Sequence, residues 1–74
     1  MTSIEDRKFL RDLGQRIRDQ RQARGWTQDQ LAIKCDLHRT FIGSVERGER
    51  NVSILNLWQI ARVLRVNLGD LLAR

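Results

Sequence analysis

In the run RTFIGSVE, Arg39, Thr40, Gly43 and Ser44 fall among the apolar positions Ile42 and Val45, so a helix that turns those two inward shows the other four to its surroundings. A guanidinium fork matches guanine O6 and N7, hydroxyls bond to base edges, and a glycine leaves close approach open. That chemistry is recognition, not turnover. The chain offers no Ser-His-acid arrangement, no Gly-rich phosphate loop and no carboxylate pair in a credible setting, so no catalytic residue is assigned. Cys35 and His38 have the C-x-x-H spacing of metal ligands, but with one cysteine and one histidine a tetrahedral site lacks its other donors. Cys35 is expected as a small buried apolar residue, and neither metal nor cofactor is expected.

Such a helix needs a partner to present it. Upstream, Thr27 is a good N-cap, Gln30 completes a capping box, and Trp26 with Leu31 forms a hydrophobic staple, so a helix starts at Gln28. Leu31, Ala32 and Cys35 give it an inner face until Asp36-Leu37-His38 breaks the pattern and the second helix begins at Arg39. Trp26 to Glu46 thus reads as a helix-turn-helix. The same staple recurs at Leu37 with Ile42, Val52 with Leu57, and Val66 with Leu71, and Thr2-Ser3-Ile4-Glu5 reads as a capping box at the start. Phe9, Leu10, Leu13 and Ile17 continue that first helix to a C-cap at Gly25, and Gly48 caps the third. Five helices are expected, near 4–24, 28–35, 39–46, 54–65 and 68–73, in one all-α domain spanning 1–74.

Seventy-four residues lie near the lower limit for a self-sufficient core, and one cysteine allows no internal disulfide. A reducing cytoplasm is the expected compartment. No 18-residue apolar run or export signal is present, so no membrane partner is expected. The net charge of +5 and pI near 11.0 favour a polyanion, and twelve of the 14 cations are arginine, which forks phosphate and guanine as lysine cannot. The first helix carries Arg7, Lys8, Arg11, Arg16, Arg18, Arg21 and Arg24 against Glu5, Asp6, Asp12 and Asp19. Phosphate contact and a solvated face with pairs such as Asp12 with Arg16 both remain open there.

TQDQLA, the spacer, VERGERNVS and the later IARVL together resemble the DNA-binding domain of the lambdoid repressor and Cro family, across roughly Leu13 to Leu72. Within it, the short chain and ERGERNVSILN are most similar to the controller proteins of bacterial restriction-modification systems. The resemblance implies a five-helix, repressor-like fold whose third helix enters the major groove of double-stranded DNA. Arg39, at the end where family members address bases, is the first base reader, with Thr40 and Ser44 behind it; Thr40 could instead meet a phosphate, Ser44 likewise, and Arg39 could pair with Glu46 or Asp36. Aligned with the family, Gln28 bonds a phosphate through its side chain and the helix N-terminus, and Arg47, Arg50 and Asn51 lie where relatives contact the backbone. Phe41 departs from the polar residue common there; it could pack on the turn or press on a thymine methyl or sugar edge. Glu46 and Arg47 of the ERG signature read as an intramolecular pair or cap.

Helix four is apolar on too many sides for one core stripe. Ile54, Leu57, Trp58, Ile60, Ala61 and Leu64 form one arc, while Leu55 and Val63 fall outside it and, extended by Val66 and Leu68, are the candidate dimer interface. Trp26 and Trp58 are expected in the core. A dimer with recognition helices about 34 Å apart fits a pseudo-palindromic operator. The controller resemblance further implies activation of an endonuclease gene, control of the protein's own gene, and RNA polymerase as a partner, with Asp29 and Glu46 or Glu49 as acidic contacts. A phage-type repressor or a DNA-binding antitoxin keeps the fold and changes the task; an RNA- or membrane-binding basic domain is disfavoured, because the cations do not gather opposite one apolar stripe.

Overall fold

The computed structural model describes residues 3–73. Among them the chain forms α1 (Ile4–Ala23), α2 (Gln28–Cys35), α3 (Arg39–Glu46), α4 (Ile54–Leu64) and α5 (Leu68–Leu72), without strands. The expected order holds, with ends moved by at most one residue.

Local chemistry explains most of the boundaries. Thr27 Oγ1 accepts from the Gln30 amide at 3.0 Å while Gln30 Oε1 accepts from the Thr27 amide at 2.8 Å, which closes the expected box. At α1 the box sits one residue later than the sequence suggested. Ser3 caps and Asp6 returns the bond, at 3.0 and 3.2 Å; Thr2 lies outside the described residues. Ser53 caps α4, whereas His38 and Asn67 make no side-chain cap bond and leave those two starts to the staples. Asp36 and Arg65 end α2 and α4 in the left-handed region at φ 56° and 58°.

The core is gathered from every helix: Leu13 and Ile17 of α1, Leu31, Ala32 and Cys35 of α2, Ile42 and Val45 of α3, Leu57, Ile60, Ala61 and Leu64 of α4, and Leu71 of α5. Gly14 lets α1 lie against the end of α3, since a Cβ there would come within 2.4 Å of the Val45 carbonyl oxygen. Phe9 stays exposed and Leu10 half-buried, so the α1 stripe engages the core only from Leu13 onward.

Two expectations for α4 are corrected. Ile54 and Trp58, placed on the core arc by helical angle, are 60% and 48% exposed. The inner stripe closes at Leu57, Ile60, Ala61 and Leu64, spaced i, i+3, i+4 and i+7, and four residues fill the space that α2 and α5 leave. Trp58 instead lies under Arg62, whose guanidinium carbon stands 4.7 Å from the ring centroid. Leu55 is 72% exposed. Val63, Val66 and Leu68 are half-buried against the core. Trp26 packs on the core edge with Lys34 over its ring at 4.7 Å.

Candidate nucleic-acid interface

The head of α3 and the head of α2 meet at an open notch. Thr27, Gln28 and Asp29 line one side, Arg39, Thr40, Gly43 and Arg47 the other, and Arg21 of α1 closes the floor. Both helix N-termini therefore border one concave, largely cationic surface.

That floor is a buried ion pair. Arg21 Nε donates to Glu46 Oε2 at 2.7 Å and its Nη2 to Glu46 Oε1 at 3.0 Å, with side-chain exposures of 9% and 1%. Arg21 Nη1 donates in addition to the Trp26 carbonyl at 2.7 Å, so one guanidinium ties α1 to the end of α3 and to the residue before α2. Hydrogen bonding to Glu46 outweighs burial and holds the Arg21 pKa above its ordinary value. Gln28 joins the same carboxylate, its Nε2 donating to Glu46 Oε1 at 3.0 Å. Because a carboxylate only accepts, the Gln28 amide nitrogen must face inward and its Oε1 turns toward Gly43. A Cβ at Gly43 would stand 3.3 Å from that oxygen and 3.1 Å from Arg47 Nη1, so the glycine gives both side chains their room.

The expected residues divide into two groups. Arg39 and Thr40 are exposed at the head of α3, and Arg39 has no salt bridge among the described residues, to Glu46 or to Asp36. Ser44 is half-buried and engaged: its hydroxyl donates to the Phe41 carbonyl at 2.7 Å and accepts from Arg50 Nε at 3.5 Å. Phe41 packs against the core edge, and Arg50 lies over its ring at 5.1 Å. Ser44, Phe41 and Arg50 thus form one cluster at the side of α3. Arg47 bonds Glu49 at 3.0 Å, both more than half exposed, and Asn51 is exposed in the following loop.

Sequence reasoning placed Glu46 in a pair but missed its partner. Arg21 lies four residues beyond the buried Ile17, and that spacing was the available signal. The suggested Asp12 with Arg16 pair does not form. Asp12 bonds Lys8 at 3.4 Å, while Arg16 donates to the Leu71 carbonyl at 3.2 Å and pins α5 to α1. Glu46, at 7% exposure, is not available as an acidic contact for another protein. Cys35 is buried, and no group of three or more potential metal ligands gathers among the described residues. Nor is any described helix long and apolar enough to cross a membrane.

Residues 17–71 match the helix-turn-helix family, HTH_3. The chain belongs to it. Among its relatives in this helix-turn-helix family, control protein C.BamHI of Bacillus amyloliquefaciens is 47% identical over 60 residues, covering 80% of this chain and 74% of that protein. The crystal structure of the restriction-modification controller protein C.AhdI from Aeromonas hydrophila superposes with a TM-score of 0.81 at 42% identity, covering 84% of this chain and 94% of that one. The crystal structure of SinR, a master regulator for biofilm formation, in complex with DNA superposes with a TM-score of 0.79 at 34% identity, over 82% of this chain and 98% of that one. The chain is thus a helix-turn-helix transcriptional regulator of the DNA-binding kind, related to restriction-modification controllers, and not an enzyme.

Proposed function

We propose that the protein is a homodimeric controller that binds a pseudo-palindromic operator and both activates and limits transcription of restriction-modification genes. The observation that carries the reading is Arg39, exposed and without a salt bridge among the described residues, at the head of a helix tied to α1 by the Arg21–Glu46 pair. An unpaired guanidinium loses no internal partner when it forks a guanine. Thr40 lies beside it for a base edge, and Ser44, with its proton given to Phe41, meets the groove as an acceptor. Gln28, Arg47, Arg50, Asn51 and the edge of Phe41 hold the backbone on either side.

Self-association doubles the reading helix, and the outer side of α4 supports it with Ile54, Leu55 and Trp58 exposed together. Val63, Val66 and Leu68 flank that patch, half-buried until a second copy covers them. The controller relatives favour a restriction-modification setting over a phage or toxin one. Asp29, exposed on α2, is the remaining acidic contact for RNA polymerase, and Glu49 can serve only by leaving Arg47.

Selection of bound duplexes from a random pool tests the first part, with a two-fold motif of half-sites about one helical turn apart as the expected product. In vitro transcription with purified polymerase tests the second. Activation at low protein and repression at high protein is expected; repression at every concentration removes the activator role and leaves a simple repressor.

A further inference from the structure

We propose that α1 and the loop after α3 form a second anion cleft, which takes a backbone phosphate of the same duplex beyond the bases that α3 reads. This inference rests on the duplex-binding reading above. Arg7 and Arg11 line the cleft from α1, and Arg47, Gly48, Glu49 and Asn51 line it from the loop. Three guanidinium groups face one carboxylate, and that carboxylate is already bonded to Arg47 Nε at 3.0 Å.

Most other cations of the first helix are engaged; Arg18, also exposed, is the exception among the described residues but does not line the cleft. Along α1 and at its C-cap Arg24, Lys8 pairs with Asp12, Arg16 and Arg24 donate to the Leu71 and Leu64 carbonyls, and Arg21 holds Glu46. Arg7 and Arg11 have no salt-bridge or hydrogen-bond partner for their side chains among the described residues, although they sit one helical turn apart, where like charges repel. An anion between them would remove that repulsion, and a phosphate matches the planar fork of arginine.

The cleft is also held in shape and in place. Gly48, at φ +74°, presses the loop onto α1 so closely that a Cβ would stand 2.7 Å from Arg11 Cα. Arg47 lines both this cleft and the notch that contains Gln28, Arg39 and Thr40. One cationic strip therefore runs from the base-reading edge to α1, as a duplex backbone would follow it. Asn51 adds an amide donor at its far side.

The test compares the full-length protein with its Arg7→Gln/Arg11→Gln variant on the selected operator duplex, with affinity measured across a salt series. Each phosphate contact contributes about 0.9 to the slope of log affinity against log salt. The variant should lose about one from that slope, keep its base preference in a repeated selection, and keep its helical circular dichroism. Trimming base pairs from the operator flank should bring the wild type down to the variant and leave the variant unmoved. An unchanged slope overturns the proposal. So does a wild type indifferent to trimming, which would mean that the cleft serves some other anion, and so does a variant with altered base preference. A wild type that binds no duplex at all would instead remove the reading on which the proposal stands.

Discussion

The surface around Arg39 and the surface around Trp58 are both open to solvent, yet they are built on opposite terms. Behind Arg39 lies a buried charge pair with four donors and three acceptors drawn from three helices and the segment before α2, and every one of them fixes a direction. Behind Trp58 lie Leu57, Ile60, Ala61 and Leu64, which fix only a position. The difference follows from what each surface has to do. Reading a base edge requires hydrogen-bond donors held to a fraction of an ångström, whereas covering an apolar patch is non-directional and scales with area. A polar site has to be supported from within; an apolar one needs only to be left outside the core.

Breaking the support behind Arg39 should give the largest effect. Glu46→Ala strands the Arg21 guanidinium at a site where it is almost fully buried, and the expected loss is about 3–5 kcal/mol in urea unfolding. The double replacement Arg21→Met/Glu46→Leu sharpens the point. It fills the same space without charge, so most of that stability should return, while Gln28 loses the acceptor that orients it and duplex affinity stays reduced. Full recovery of binding in the double variant would show that the pair serves stability alone.

The apolar surface should fail differently. Leu55→Lys puts a charge on the most exposed of the α4 apolar residues and should weaken dimerisation by about 2 kcal/mol or more, roughly 30-fold, in sedimentation equilibrium. The unfolding midpoint of the monomer should barely move, because Leu55 contributes little to its core. A wild type that remains monomeric at high micromolar concentration and low salt ends the interface assignment outright.

How much of this was legible in the sequence follows the same division. The five helices were, because caps and staples are local: Thr27 with Gln30, and each apolar residue before a cap with its partner five residues on. So were Arg39 and Thr40, whose exposure follows from Ile42 and Val45 pointing in. The partner of Glu46 was not, because Arg21 is 25 residues away and the two meet only through the packing that Gly14 permits. Helical angle alone also misplaced Ile54 and Trp58. Periodicity tells which residues share a side, but how wide a side the core can cover depends on how closely α2 and α5 approach α4. Ser44 and Arg50, two separate contacts in the sequence reading, prove to be joined directly at 3.5 Å and to share Phe41 as a neighbour.

Smaller than either of these is the effect expected of Arg39→Ala. It removes no internal partner, so the fold should be unaffected, and the loss of about 1–3 kcal/mol should fall on one base pair of the operator. Arg50→Ala should instead weaken all duplexes alike and loosen Ser44 and Phe41. Equal losses for Arg39→Ala on operator and random duplex would move that residue from reading to holding.

The smallest effect probes the layer behind the reading helices. Cys35, on the inner side of α2, has its thiol pushed up by burial to about 11 from an ordinary 9.0. The native thiol therefore keeps a proton that the unfolded chain gives up between those values. Stability is indifferent to this group below pH 9 and falls as pH rises toward 11, since the unfolded state then binds fewer protons. Wild type and Cys35→Ala, unfolded in urea at pH 8, 9, 10 and 11, isolate the contribution from that of the arginines and lysines. Any advantage of the wild type at pH 8 should shrink toward pH 11. Alkylation should follow the same logic, with the native thiol inert at pH 8 and reactive once urea opens the chain. A thiol that reacts readily at pH 8 in the folded protein would mean that α2 lifts away from α3 and α4, and the rigidity ascribed to the Arg39 surface would then have to come from bound DNA.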